Sequence, residues 1–246
     1  MIRVGVIGAQ GKMGSQTALA VRSADDLELV AQVDVDDDLA DLAGVDVAVD
    51  FTHPAAVMHN IGWCVAHGVN VVVGTSGFTK ERLAAVESQL AEAPDVGVIV
   101  VPNFSIGAIL MMRFAAEAAR FYESVEIIEL HHPSKADAPS GTARRTAELV
   151  AAARSDAGAG AMPDATVEQE VGARGATIEG VPVHSVRLRG LVAHQEVVFG
   201  SAGEILTVRH DSLGRESFLP GVLAAVRAVA RTPGLTFGLD SVLGLA

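Results

Sequence analysis

Between residues 2 and 101 the sequence alternates short Val- and Ile-rich runs with stretches of helical spacing, and few folds accommodate that alternation. The runs fall at 2–7, 27–33, 46–51, 69–73 and 96–101. They are mostly apolar rather than strictly alternating, as strands buried on both faces of a parallel sheet are. The stretches between them carry helix boundaries. A glycine turn precedes the helical pattern at 13–23, Pro54 opens and Gly68 closes the next, and Thr79 is the N-cap of one running to Glu92. Units of this kind close as right-handed crossovers, which predicts an α/β fold with a doubly wound parallel sheet.

After Asn103 the pattern changes. An apolar helix at 106–120 leads to a strand at 125–130, a helix at 142–154 and a Gly/Ala/Pro-rich loop at 155–165. Strand-like runs at 181–188, 195–199 and 205–210 then follow without intervening helices, which predicts an α+β domain with a mixed or antiparallel sheet. The last helical stretch, 218–231, has no sheet of its own nearby and is assigned back to the first domain. The expected division is therefore 1–105 with 217–246 as one domain and 106–216 as the other.

Composition narrows the class. A formal net charge of −12 argues against nucleic acid as a partner, because phosphate neutralisation needs clustered Lys and Arg. No apolar run is long enough to cross a bilayer, and the N-terminal stretch lacks a basic, then apolar, cleavable pattern. The one cysteine, Cys64, rules out an intrachain disulfide framework and fits a reducing compartment. The expectation is a cytoplasmic protein without a membrane partner.

V-G-V-I-G-A-Q-G-K-M-G sets Gly8, Gly11 and Gly14 between the first strand and the first helix. The spacing is G-x-x-G-x-x-G, yet the demands are those of a dinucleotide turn: a tight bend, backbone open to a pyrophosphate, and close packing of helix on strand. Free N–H groups at the helix start favour phosphate. Asp34 closes the second strand about twenty residues after Gly14, where a carboxylate accepts from ribose hydroxyls. Asp36, Asp37 and Asp38 follow Val35, with no Arg or Lys there to meet a 2′-phosphate, which favours NADH over NADPH. Lys12 is the one nearby cation that softens this preference. Gly74-Thr75-Ser76 and Val101-Pro102-Asn103-Phe104 end two further strands on the ligand side of such a sheet.

The second chemical feature is H-H-P-S-K-A-D-A-P-S-G-T-A, from His131 to Ala143. It combines two proton-transfer groups, a fixed cation at Lys135 and a helix start at Ser140-Gly141-Thr142 with free N–H donors. In extended backbone His131 and His132 point to opposite faces. Such a set suits a small, multiply charged anion that gains or loses a proton. A metal site is the competing reading, but the chain has no second Cys and no H-x-x-x-H pair, and Lys135 would repel a cation. No metal is expected.

E-x-H-H-x-x-K-x-D-x-P-S-G-T-A, residues 129–143, resembles the signature of the 4-hydroxy-tetrahydrodipicolinate reductase (dihydrodipicolinate reductase) family of bacterial lysine biosynthesis. D-F-T-H-P at 50–54, G-T-S-G-F at 74–78 and P-N-F-S-I-G at 102–107 have family counterparts as well. The resemblance implies a Rossmann-like nucleotide domain and a substrate domain whose sheets assemble a homotetramer. It implies reduction of a dihydrodipicolinate-type dicarboxylate to tetrahydrodipicolinate by NADH or NADPH. Position by position, His131 and Lys135 match the proton-donating pair and His132 a substrate contact, while Gly141 and Thr142, beside Ser140, match the hold on a substrate carboxylate. Gly8, Ala9, Gln10, Gly11, Lys12, Met13, Asp34, Gly74, Thr75, Ser76, Val101, Pro102, Asn103 and Phe104 match cofactor contacts. Some members carry Arg where this chain has Val35, which bears on NADPH use. Two other readings compete: a semialdehyde dehydrogenase, for which Cys64 would have to be the nucleophile, and a non-catalytic NAD-responsive regulator, which leaves the His/Lys group without a purpose.

Overall fold

The computed structural model describes residues 1–245. The chain runs through β1 (Ile2–Ile7), α1 (Lys12–Arg22), β2 (Leu27–Val33), β3 (Val47–Asp50), α2 (Val57–Ala66), β4 (Asn70–Val73), α3 (Lys80–Leu90) and β5 (Gly97–Val100). It continues with α4 (Ile106–Ala118), β6 (Ser124–His131), α5 (Gly141–Asp156), β7 (Ala176–Ile178), β8 (Val181–Arg187), β9 (Ala193–Ser201) and β10 (Glu204–Ser212), and ends with α6 (Leu219–Val229) and β11 (Gly234–Phe237). It separates into two compact units, Met1–Ser105 with the stretch from Arg215 on, and Ile106–Gly214.

The first unit is built on a six-stranded sheet in the order β11-β5-β4-β3-β1-β2, parallel throughout. All four residues of each of β3, β4 and β5 are buried or nearly so, as strands covered on both faces must be. Val71, Val73, Val98 and Val100 pack with Ile61, Cys64 and Val65 of α2 and Val86 and Leu90 of α3 on one side. Strand order reverses at β1, which has β2 on one flank and β3 on the other, and such a switch opens a crevice at the carboxyl ends of the strands. The returning α6 contacts β3, β4 and β5, and Arg227 grips Asp26 with Nε–Oδ2 2.7 Å and Nη2–Oδ1 2.8 Å.

The second unit carries a five-stranded sheet in the order β10-β9-β6-β8-β7. Only β6 and β8 are parallel, so the sheet is mixed. Val125 and Ile127 of β6, Val183 of β8, and Val197 and Phe199 of β9 form its inner face. Ala115 of α4, Ala119 just after it, and Ala143, Ala147 and Val150 of α5 lie against them; small side chains let both helices approach the sheet closely.

The fold class expected from the sequence holds, with two short strands added. β11 follows the last helix and pairs in parallel with β5, Leu235 opposite Val98. β7, three residues long, pairs antiparallel with β8. Neither is long enough to display a period in sequence. α2 also begins at Val57 rather than at Pro54, because His53 O takes the amides of Ala56 and Val57 in a turn at 2.9 and 3.1 Å.

Candidate active site

In the first unit, the four segments singled out for a cofactor lie at the carboxyl ends of β1, β2, β4 and β5, and D-F-T-H-P lies at the end of β3. Gly8 has φ +78°, and a Cβ there would lie 2.5 Å from the Phe51 carbonyl oxygen just beyond β3. Gly14 is buried in α1, where a Cβ would lie 2.0 Å from the Gly8 carbonyl oxygen. Only glycine permits either approach. Gly11 is the N-cap of α1 and brings no side chain to cap it, so first-turn amides at Lys12 and Met13 are left for a ligand. Asp34 stands beside this turn: its Oδ2 accepts from Gln10 N at 2.7 Å and its Oδ1 from Val35 N at 2.9 Å. Val35 itself is 89% exposed.

A buried carboxylate ties the neighbouring loops together. Asp50 Oδ1 accepts from Thr52 N (3.0 Å), Thr52 Oγ1 (2.8 Å) and Thr75 Oγ1 (2.7 Å), and Oδ2 from Asn60 Nδ2 (2.8 Å). Hydrogen bonds thus replace a cation as the compensation for burying this group. Gly74 is glycine because a Cβ would enter the rings of Phe51 and Phe104, which pack 5.5 Å apart. Val101 N donates to Val73 O at 2.9 Å, and Asn103 Oδ1 takes Ser105 N at 2.9 Å ahead of α4. Ser76 and Pro102 are exposed, and Ala9 and Phe104 are buried. Asp50, Asn60 and Phe51 were not anticipated as organisers of this region, although Asp50 heads the D-F-T-H-P motif.

In the second unit, β6 alternates so that Val125, Ile127, Glu129 and His131 share the inner face. That row turns from apolar to charged at the strand end. Glu129 is fully buried and has every oxygen engaged. Oε2 accepts from His131 Nδ1 (2.5 Å) and Arg187 Nη1 (2.7 Å), and Oε1 from Arg187 Nη2 (2.8 Å) and Ser140 N (3.0 Å). Burial alone would raise this carboxyl, but Arg187, Ser185 and His131 hold it below the usual carboxylate value. Burial also pushes His131 below its ordinary value of 6.5; Glu129 opposes that shift, and Lys135 and Arg187 add to it.

The signature loop closes around this pair. Arg187 Nη2 also donates to Asp137 O at 2.6 Å, and Lys135 Nζ meets Asp137 Oδ1 at 2.7 Å. His132 is exposed, with Nδ1 2.8 Å from Ser134 Oγ, so the two histidines do separate. Ser140 caps α5, its Oγ accepting from Ala143 N at 3.1 Å. Gly141 is exposed with open space where a Cβ would stand, and its amide meets the Asp137 carboxylate, so an anion of the chain itself sits at this helix start. Thr142 O accepts from Thr146 Oγ1 (2.8 Å), which accepts from the buried Gln195 Nε2 (2.7 Å), bracing the first turn of α5 against β9. The arrangement gathers an imidazole, an ammonium and a helix start within one loop.

Sequence reasoning passed over Glu129, although it stands at the head of the quoted signature, and Arg187, which lies 58 residues further along the chain. Only the pairing of His131 with Arg187 across β6 and β8 brings that guanidinium to the site. Among the described residues, no group of three or more His, Cys, Asp or Glu is placed to hold a metal ion, and no helix is long and apolar enough to cross a membrane.

Known proteins match this chain over its full length. Residues 2–104 match the family model described as dihydrodipicolinate reductase, N-terminus, and residues 107–243 the one described as dihydrodipicolinate reductase, C-terminus. The 4-hydroxy-tetrahydrodipicolinate reductase of Cutibacterium acnes is 61% identical over 245 residues, covering 100% of both chains. That of Nocardia farcinica is 61% identical over 246 residues, covering 99% of each. A dipicolinate-bound dihydrodipicolinate reductase from Paenisporosarcina superposes with a TM-score of 0.85 at 39% identity, covering 98% of this chain and 99% of that one. The chain therefore belongs to the dihydrodipicolinate reductase family, whose activity is the NAD(P)H-dependent reduction of 4-hydroxy-tetrahydrodipicolinate in lysine and diaminopimelate biosynthesis.

Proposed function

We propose that the first unit binds NADH in preference to NADPH, and that the second supplies the proton and the carboxylate hold for the dicarboxylate substrate. The glycine turn fits a dinucleotide: Gly8 and Gly14 permit approaches that a Cβ would block, and the uncapped start of α1 offers amides and the positive end of a helix dipole to a pyrophosphate. Gly8 to Met13, Asp34, Gly74 to Ser76 and Val101 to Phe104 would hold it. When bound, the reduced nicotinamide supplies the hydride. Asp34 is already oriented by two backbone amides and keeps further lone pairs for ribose hydroxyls. With Asp36, Asp37 and Asp38 beside it and a neutral, exposed Val35, this corner repels a 2′-phosphate.

The reduction consumes one hydride and one proton and releases the 4-hydroxyl as water. The chain's part is the proton and the charge. Lys135 and His131 are the proton-donating pair, and a cation near the ring stabilises the negative charge that develops there. Ser140, Gly141 and Thr142 hold a substrate carboxylate at the start of α5, and His132 gives a further contact. Each such hydrogen bond to a charged group is worth about 1.5–3 kcal/mol. The dipicolinate bound by the Paenisporosarcina relative supports a planar dicarboxylate ligand here. The observation that carries this reading is that one buried carboxylate, Glu129, joins His131 to the amide of Ser140.

We further read the protein as cytoplasmic and as a homotetramer assembled through the second unit. Its single, buried cysteine fits a reducing compartment. The sheet face opposite the helices keeps Ile128, Leu130 and Val198 only half-buried and Ile205 76% exposed, which suits a surface covered by another copy. Steady-state oxidation of NADH and NADPH with freshly generated substrate tests the cofactor assignment. The expected result is substrate-dependent turnover with both and the higher kcat/KM for NADH. A large NADPH advantage overturns the preference, and no substrate-dependent turnover overturns the reaction.

A further inference from the structure

The ionised carboxylate of Glu129 is a hydrogen-bond acceptor only, so the His131 nitrogen 2.5 Å from Oε2 must carry the proton. The bound tautomer is therefore Nδ1–H, and Nε2 is the free end of the ring. Arg187 makes this arrangement affordable. Its fork covers both oxygens of Glu129, so the buried charge is neutralised without drawing His131 into a permanent ion pair. The same carboxylate takes the backbone amide of Ser140, and the same guanidinium takes the carbonyl of Asp137. The strand end that carries His131, the loop that carries Lys135 and the helix start at Ser140 are thus tied to one ion pair, whose carboxylate is fully buried.

We propose that Glu129, neutralised by Arg187, is a positioning residue for the reduction. It fixes the His131 ring with Nε2 outward and holds the carboxylate-binding start of α5 in register with it. This rests on the assignment of His131 as a proton-transfer group. Paired, buried carboxylates also occur as plain structural charges, but a structural role leaves the coupling of Glu129 to His131 in turnover unspecified. A positioning role specifies it.

Two measurements decide it. In the first, Glu129→Gln, His131→Gln and the double variant are compared by kcat, by KM for NADH and substrate, and by melting temperature. Glu129→Gln is expected to lower kcat by about 100-fold, in the range seen when groups behind a functional histidine are removed. KM for NADH should stay within about two-fold, and the double variant should be no slower than His131→Gln alone by more than about three-fold. Losses that multiply in the double variant, or a folded Glu129→Gln with normal kcat, overturn the proposal while leaving His131 in place. A normal kcat in His131→Gln instead overturns the assignment of His131 itself. The second measurement needs no variant: ¹⁵N shifts of the His131 ring in the intact protein above its titration. Protonation at Nδ1 is expected, and protonation at Nε2 overturns the proposal whether or not the variants fold.

Discussion

Cys64 and His131 show how neighbours decide what a side chain does. Cys64 is fully buried in α2, and burial, with the negative charge of Asp50 second, pushes its thiol up to about 12. A thiol that stays protonated is not a nucleophile, which removes the semialdehyde dehydrogenase reading on physical grounds. Iodoacetamide at about pH 8 should leave Cys64 unmodified in the native protein and label it fully in denaturant. Native labelling with loss of turnover would restore a thiol mechanism. At this scale much of the site was legible: His131, Lys135 and Ser140 lie within ten positions of one another, close enough for spacing alone to suggest shared chemistry. Glu129 and Arg187 were not. Glu129 looks like the polar member of an alternating strand until the fold shows that it sits on the buried face, and Arg187 reaches the site only through strand pairing.

Elements were legible where a boundary residue states its own reason. Thr79 caps α3, accepting from Arg82 N at 3.4 Å, and Ser140 caps α5, as their positions before helical runs suggested. The turn before α1 is legible through Gly8 and Gly14, whose missing Cβ atoms let the helix settle on the strand end. Gly14→Ala should therefore damage the element and its binding together. The added Cβ meets backbone 2.0 Å away, so α1 must shift. A stability loss of about 1–3 kcal/mol is expected, along with at least about ten-fold weaker NADH binding. Thermal melts and fluorescence titration check both, and unchanged NADH affinity would separate the turn from the cofactor. β7 and β11 escaped notice because three or four residues cannot show a period, and their pairing is dictated by the strands they join.

Across the whole molecule, ionisable groups shifted by burial or by charged partners set the response to acid. Burial holds His131 and His210 below 6.5, so the folded chain resists protons that the unfolded chain takes up as the pH falls through that value. Glu126 and Glu129 sit below 4.5 because their Arg and His partners outweigh burial, and Arg209 and His194 hold Asp211 below 3.8. Their contribution is present above the ordinary carboxylate values and is lost as the pH drops through the lowered ones. Both windows have the same sign. The melting temperature should fall modestly below about pH 6.5 and more steeply below about pH 4.5, and a rise on acidification would contradict these assignments. The two-unit organisation was legible in the switch from alternating strand and helix to successive strands after Asn103. The central claim is that this family member completes its reduction with a proton from the signature loop, and the kinetics of Lys135→Ala with NADH and freshly generated substrate test it most directly. A loss of about 100-fold or more in kcat, with KM for NADH within about two-fold of the parent, is the predicted result; near-normal turnover would contradict it.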